Sequence, residues 1–185
     1  MIGFLISGNW GSPALVCPRP ITIAPMTYKI YLGLGSNLGD RQAHLDAATA
    51  ALAPAVRVTQ RSQMYEAVPW GYTDQPAFLN QALEAETELE PKELLKFLKE
   101  IEQGLGRKPR FKNGPREIDI DILLIDALVL NEDRLRVPHP GLHERAFILT
   151  PLGDIAPELR IPGQEKTVQQ LLAGLDASGA KPYKA

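Results

Sequence analysis

The chain holds a single cysteine, Cys17, among 185 residues. That excludes an internal disulfide and any cysteine-based zinc site. It also fits a reducing compartment, and a cytoplasmic location is expected. Aromatic residues are few, at 6%. No apolar run in the sequence approaches the roughly 18 residues of a membrane span. Neither sign of charge dominates: 20 Lys and Arg stand against 22 Asp and Glu, a net charge of -2. Proteins that live on a nucleic-acid backbone are normally basic, so that class is disfavoured. What remains is the balance of an ordinary soluble globule, 44% hydrophobic and 23% charged, at the length of one domain. Such a chain is long enough to bury a real core. A monomer that meets small molecules, with neither nucleic acid nor membrane as partner, is the expectation.

Residues 1–26 are read as an irregular extension, and 27–185 as a single domain. Met1 to Pro25 carries Pro13, Pro18, Pro20 and Pro25, three glycines, and Arg19 as its only charge. No period of either secondary structure runs through it. The stretch Ile2–Ile6 is too short for the apolar part of an export signal, and the basic residue follows it instead of preceding it.

Beyond Met26, strand and helix patterns alternate. Tyr28–Leu34 reads as a strand ended by Gly33 and Gly35. Asp40 is suited to cap a helix with Leu45, Ala48 and Leu52 on one face, stopping at Pro54. Val56–Glu66 alternates and reads as one strand. Val68–Pro76 is a loop, and Phe78–Thr87 is a strand again. Pro91 opens a helix carrying Leu94, Leu98, Ile101 and Leu105, with Gly104 and Gly106 at its end. Ile118–Ile125 is the most strand-like segment, and Val137–Gly141 is a proline-rich turn. Val168, Leu171, Leu172 and Leu175 mark a last helical face. The order β-α-β-β-α-β predicts an α+β, ferredoxin-like sandwich: an antiparallel sheet, two helices on one face, and extra C-terminal elements.

The chemistry concentrates between residues 107 and 121. Ile118-Asp119-Ile120-Asp121-Ile122 alternates with period two, so both aspartates share one face of a strand and the isoleucines take the other. Two positions along a strand lie about 6.6 Å apart, within range of one or two shared hard cations. Side-by-side carboxylates require a cation or a basic group to compensate them. Arg107–Arg116 supplies five basic residues in ten and no acid. A dense basic loop running into a carboxylate pair suits a polyphosphate with its Mg²⁺. An exposed acidic face and a solvated charge run are the plainer alternatives. Phe78 and Asn80 share a strand face, where a flat ring finds a stacking surface and an amide for its edge. His139 sits in the rigid turn Val137–Pro140, suited to bind phosphate or donate a proton near neutral pH. Gly33–Asn37 resembles a phosphate loop but lacks the lysine and spacing of one, and reads as a tight turn between strand and helix, with phosphate binding as the other option.

Taken together these segments resemble the 6-hydroxymethyl-7,8-dihydropterin pyrophosphokinases of folate biosynthesis. The matching pieces are Tyr31–Arg41, Asp74-Gln75-Pro76 with Phe78-Leu79-Asn80, Gly114–Asp121, Val137–Pro140, and Arg145-Ala146-Phe147, in the family's order. The likeness covers about Thr27 to Leu175. It implies a ferredoxin-like fold and transfer of pyrophosphate from ATP, with AMP leaving. It also implies Asp119 and Asp121 as ligands of two Mg²⁺ ions, and Arg107 and Arg116 as catalytic arginines that meet ATP. His139, Arg145 and Ile122 fall on nucleotide-binding positions, with Glu102 near them. Phe78 and Phe147 match the rings that sandwich the pterin, Asn80 its edge partner, and Ala67 and Trp70 further pterin contacts.

Departures from the family pattern stand at Asn113, where Trp is common, at Glu117, where Thr is common, and at Ala67-Val68-Pro69-Trp70. The 107–116 loop also looks one residue short. Two other readings of the same residues are a metal-dependent nuclease and a non-catalytic nucleotide- or pterin-binding module.

Overall fold

A computed structural model describes residues 26–184. The reading of 1–26 as an irregular extension falls almost wholly outside the described residues. The elements run β1 (Tyr28–Ser36), α1 (Arg41–Ala51), β2 (Val56–Arg61), β3 (Tyr65–Ala67), β4 (Phe78–Thr87), α2 (Pro91–Gly104), β5 (Asp119–Ile125), β6 (Leu130–Asn131), β7 (Arg136–Val137), α3 (Ala146–Ile155), α4 (Val168–Leu172) and β8 (Ala180–Pro182). The sheet order is β5-β1-β4-β3-β8, with β2 also pairing β4. Each pairing among these strands is antiparallel. This is the expected ferredoxin-like arrangement.

Local sequence explains most of the boundaries. Asp40 accepts the Ala43 N–H and caps α1, and Pro91 stands at the start of α2. Ile30, Leu32 and Leu34 of β1, Leu79 and Leu83 of β4, and Ile118, Ile120 and Ile122 meet Leu45, Ala48, Leu94 and Leu98 in one core. That core lies between the sheet and the helices α1 and α2.

Three boundaries differ from the sequence pattern. β1 does not end at its glycines: Gly33 pairs with Ala82 and Asp121, and Gly35 with Asn80 and Asp119. The segment 33–36 is therefore strand and not a turn. Val56–Glu66 splits in two because the Ser62 hydroxyl takes the Ala82 N–H and interrupts the ladder. Lastly, α3 packs on the other face of the sheet with Tyr31, Ala82, Leu123 and Leu124, forming a second core with Val168 of α4. The fold thus has a partial third layer. The segment around α3 is apolar on nearly every side and holds Pro151, so no helical stripe announces it.

Candidate active site

The third layer stops short of one end of the sheet and leaves a cavity of about 150 Å³. Its floor is built by strand alternation. Asp119 and Asp121 of β5 project to the side opposite the helix-side core, as their period-two spacing predicts. The paired residues of β1 on that face are Gly35 and Gly33, which carry no side chain. Beyond them stand Asn80 and Ala82 of β4. A Cβ on Gly35 would lie 3.3 Å from Asn80 Oδ1 and 3.7 Å from Phe78 Cδ1. On Gly33 it would lie 3.2 Å from Leu123 Cδ2. The two glycines keep the floor bare between the carboxylates and the aromatic wall.

Phe78, Asn80, Trp70, Arg116, Asp119, Asp121, Arg145 and Phe147 all line this one cavity. Asn80 Nδ2 is buried and has no hydrogen-bond partner among the described residues. An unmatched buried donor is costly, so its position on the wall invites a ligand acceptor. The Arg145 guanidinium lies 4.3 Å from the Trp70 ring centroid, and that of Arg116 lies 5.8 Å from that of Phe78.

Electrostatics separate the two aspartates. Burial works against the Asp119 carboxylate, but Arg107, Arg116 and Lys99 outweigh it and hold it below the usual carboxylate range. Arg107 Nη1 binds Oδ1, Arg116 Nη1 binds Oδ2, and Lys99 Nζ stands 3.9 Å away. Among the described residues Asp121 has no such ion-pair partners. Burial, then the charge of Asp119, push it up to about 7. A carboxylate in that position gains from any cation brought beside it. Among the described residues no group of three or more His, Cys, Asp or Glu forms a ready-made metal cage. Two carboxylates that need phosphate oxygens and water to complete a coordination shell fit the habits of Mg²⁺.

Glu102 organises the edge of the site. Only 2% exposed on α2, it accepts the Ile120 N–H at 2.7 Å and the Lys99 ammonium at 2.7 Å. It also pairs with Arg107. It thereby ties α2 to β5 and carries two cations toward Asp119. An acid on the same helical stripe as Leu98 and Ile101 is the signal that marks it in the sequence. Lys99 is a further site residue that pattern alone did not single out, and Gly33 and Gly35 serve as bare floor where a tight turn was expected.

Some expected site residues sit elsewhere. The Ile122 side chain packs in the helix-side core, so the carboxylate face does not receive it. Ala67 is buried, paired with Phe78 and Ala180, and does not line the cavity. Arg107 is held behind Asp119, outside the cavity lining. His139 is partly buried next to the cavity lining, its backbone N–H bonded to Leu123 O at 2.9 Å. Burial, and then the charge of Arg145, pull its imidazole down to about 4. The ring is neutral at pH 7, so it suits hydrogen bonding better than proton donation there. Glu117 does not load the site with free charge, because Arg110 pairs with it at 2.7 Å. Asn113 adopts a left-handed φ of 60°, a conformation asparagine tolerates better than most residues.

The depressed His139 pKa has a consequence for stability. Below about pH 6.5 the unfolded chain takes up a proton that the folded ring refuses until about pH 4. Stability is therefore lost as pH falls through that window, by on the order of 2–3 kcal/mol. Urea denaturation of the ligand-free protein at pH 7 and 4.5 should show His139→Gln losing less stability than wild type. Equal losses would mean the ring is solvated.

The comparisons agree with this geometry. A family model described as 7,8-dihydro-6-hydroxymethylpterin-pyrophosphokinase matches residues 31–157. A Methylorubrum extorquens protein named 2-amino-4-hydroxy-6-hydroxymethyldihydropteridine pyrophosphokinase is 48% identical over 153 residues, covering 82% of this chain and 96% of its own. One of the same name from Aquifex aeolicus is 45% identical over 141 residues, covering 76% and 88%. Among solved structures, the wild-type Plasmodium falciparum HPPK-DHPS with pterin and p-hydroxybenzoate superposes with a TM-score of 0.69 at 16% identity. That match covers 88% of this chain and 46% of the longer one, and at such identity it speaks for the fold alone. A bare strand floor carrying two carboxylates, read beside relatives that align along nearly their whole length, leaves one assignment: the chain belongs to the 7,8-dihydro-6-hydroxymethylpterin pyrophosphokinase family.

Proposed function

We infer that the pterin and the ATP triphosphate meet over the Asp119–Asp121 strand, with the pterin in the aromatic part of the cavity. The chain is a pyrophosphokinase of folate biosynthesis, with ATP as co-substrate: it transfers pyrophosphate to 6-hydroxymethyl-7,8-dihydropterin and AMP leaves. One observation carries the assignment of the site. A single cavity has aromatic rings and an unmatched amide at one side and two carboxylates with an arginine at the other.

The chemistry asks for positioning and charge neutralisation more than for covalent catalysis, because a primary alcohol attacks the β-phosphorus in line with departing AMP. Phe78 and Phe147 offer faces to a flat ring, and Asn80 Nδ2 offers a donor to its edge. Asp119 and Asp121 would hold two Mg²⁺ ions together with phosphate oxygens. Held there, such ions would supply neutralisation of the triphosphate charge. Arg116 and Arg107 are drawn to Asp119 in the ligand-free protein. An incoming triphosphate competes for the same guanidinium groups, which then neutralise its non-bridging oxygens. His139 and Arg145 would also contact phosphate, His139 as a neutral hydrogen-bonding ring. Val68 and Trp70 close the pterin side.

The direct test is AMP formation from ATP with and without 6-hydroxymethyl-7,8-dihydropterin. AMP should appear only when the pterin is present. Phe78→Ala and Phe147→Ala should each weaken pterin binding by about 1–3 kcal/mol and leave ATP binding within a few-fold. Equal loss of both ligands in calorimetry would assign these rings to the core instead.

A further inference from the structure

The family-like segment Tyr31–Arg41 ends on Arg41, which does not line the cavity. Arg41 is the first residue of α1. A cation in the first turn opposes the helix macrodipole, so α1 gains nothing from it. Its bonds lead elsewhere. Arg41 Nη1 donates to Glu66 Oε1 at 2.6 Å and to the Ala77 carbonyl at 2.9 Å. Glu66 belongs to β3, and Ala77 is the last residue before β4. The Tyr183 ring, just beyond β8, has its centroid 5.7 Å from the Arg41 guanidinium carbon. The Tyr183 N–H donates to Met64 O at 2.8 Å, which fixes that backbone to the sheet edge. Arg41 is thus held between an acid, a carbonyl and an aromatic face.

What these bonds secure is the backbone in front of Phe78. Phe78 opens β4 and pairs with Ala67 of β3, whereas the ladder to β1 begins at Leu79. A strand end paired on one side is the part of a sheet that opens first. Both carbonyls just before it are taken, Pro76 O by Asn37 Nδ2 at 3.0 Å and Ala77 O by Arg41. The bond from Arg41 is charge-assisted and adjoins Phe78 directly. Glu66 neighbours Ala67, so one guanidinium grips both strands beside the Ala67–Phe78 pair. We propose that Arg41 is a positioning residue for the pterin: by holding Ala77 and Glu66 it fixes the plane of the Phe78 ring. This builds on Phe78 as the pterin's stacking face. A flat ligand gains from a wall already in place, because a mobile wall must be ordered at the expense of binding. The segment whose glycines resemble a phosphate loop then serves the acceptor and not the triphosphate.

Calorimetry on the full chain tests this without turnover. Mg²⁺ and an ATP analogue whose α–β bridge is methylene are bound first, and 6-hydroxymethyl-7,8-dihydropterin is then titrated. Arg41→Ala should weaken pterin binding about tenfold and leave binding of the analogue within about twofold. Arg41→Lys should recover most of the loss, since both bonds leave one nitrogen and an ammonium has the donors to make them. In a Phe78→Ala background, Arg41→Ala should cost less than about twofold, because the ring it places is gone. A loss of the same size in both backgrounds would overturn the proposal, since general loosening of the fold gives that result. Equal loss of both ligands would overturn it too. Wild-type affinity in Arg41→Ala beside a clear loss in Phe78→Ala would overturn it and leave the pterin reading standing. Undiminished binding in both single variants would remove that reading as well. Should Arg41→Ala fail to fold, Glu66→Ala, at a side chain 45% exposed, reads the same link. It should cost about threefold, again only with Phe78 present, and a loss independent of Phe78 would overturn the proposal there.

Discussion

Asp119→Asn is expected to lower AMP formation by at least about a thousandfold, or ~4 kcal/mol of transition-state stabilisation. The change keeps the shape of the side chain and removes the charge on which Arg107, Arg116 and Lys99 converge. Two consequences follow at once. A cation is poorly held, and three basic groups lose the anchor that gathers them at the cavity. Asp121→Asn should cost as much in turnover for a simpler reason. Among the described residues Asp121 has no basic partner of its own, and its buried carboxylate is valuable only when a cation joins it. The double variant should be far from additive, since both residues serve one cluster. Single-turnover kinetics with circular dichroism as a control for folding decide the matter. A folded Asp119→Asn protein with near-normal turnover would reduce the pair to a solvated strand face.

Arg116→Ala should lower turnover about a hundredfold while shifting ATP affinity by less than about threefold. In the ligand-free protein its guanidinium is shared among Asp119, the Gly114 carbonyl and the Phe78 face. Leaving those partners for ground-state ATP yields little net binding, because ion-pair and carbonyl contacts are given up in return. As charge develops on the transferring group the exchange becomes favourable, so the loss should fall on the chemical step. Arg116→Lys should recover little, because a point charge cannot reproduce the planar fork. ATP titration beside single-turnover rates separates the two effects. A matched loss of affinity and rate would make Arg116 an ordinary phosphate-binding residue.

The parts of this site that follow strand alternation were legible from residue order. β4 occupies Phe78–Thr87 as its pattern predicts, and the Asp119/Asp121 face follows from period two. The same pattern puts Ile122 on the far face, so its family-derived role as a nucleotide contact conflicts with what alternation alone would say. Other features rest on long-range partners. Gly33 and Gly35 look like strand breakers until they are seen between two ladders, where a missing side chain is the useful property. Asn37 and Gln75 lie in segments the sequence already marks, but only the approach of residues 113–116 shows which bonds they make. α3 hides behind Pro151 and a mostly apolar composition, because a helix with Thr150 and Asp154 as its few polar residues has too little of a polar face to set a period. The neutral state of His139 depends on Arg145 and on burial, neither of which the turn motif encodes.

The partial third layer gives the substrate a structural part to play. α3 and α4 roof the sheet's second face with Leu149, Leu152 and Val168, and the roof ends at Phe147 and Pro151. A flat ring lying on Gly33 and Gly35 would continue that roof by one more slab. Recognition and folding would then be served by the same surface, with the ring as a removable piece of core. Any change that let α3 slide forward over the glycine floor would fill the gap with the protein's own side chains. Such a protein would gain stability and lose the cavity, so packing and an open site pull in opposite directions at the edge of the roof.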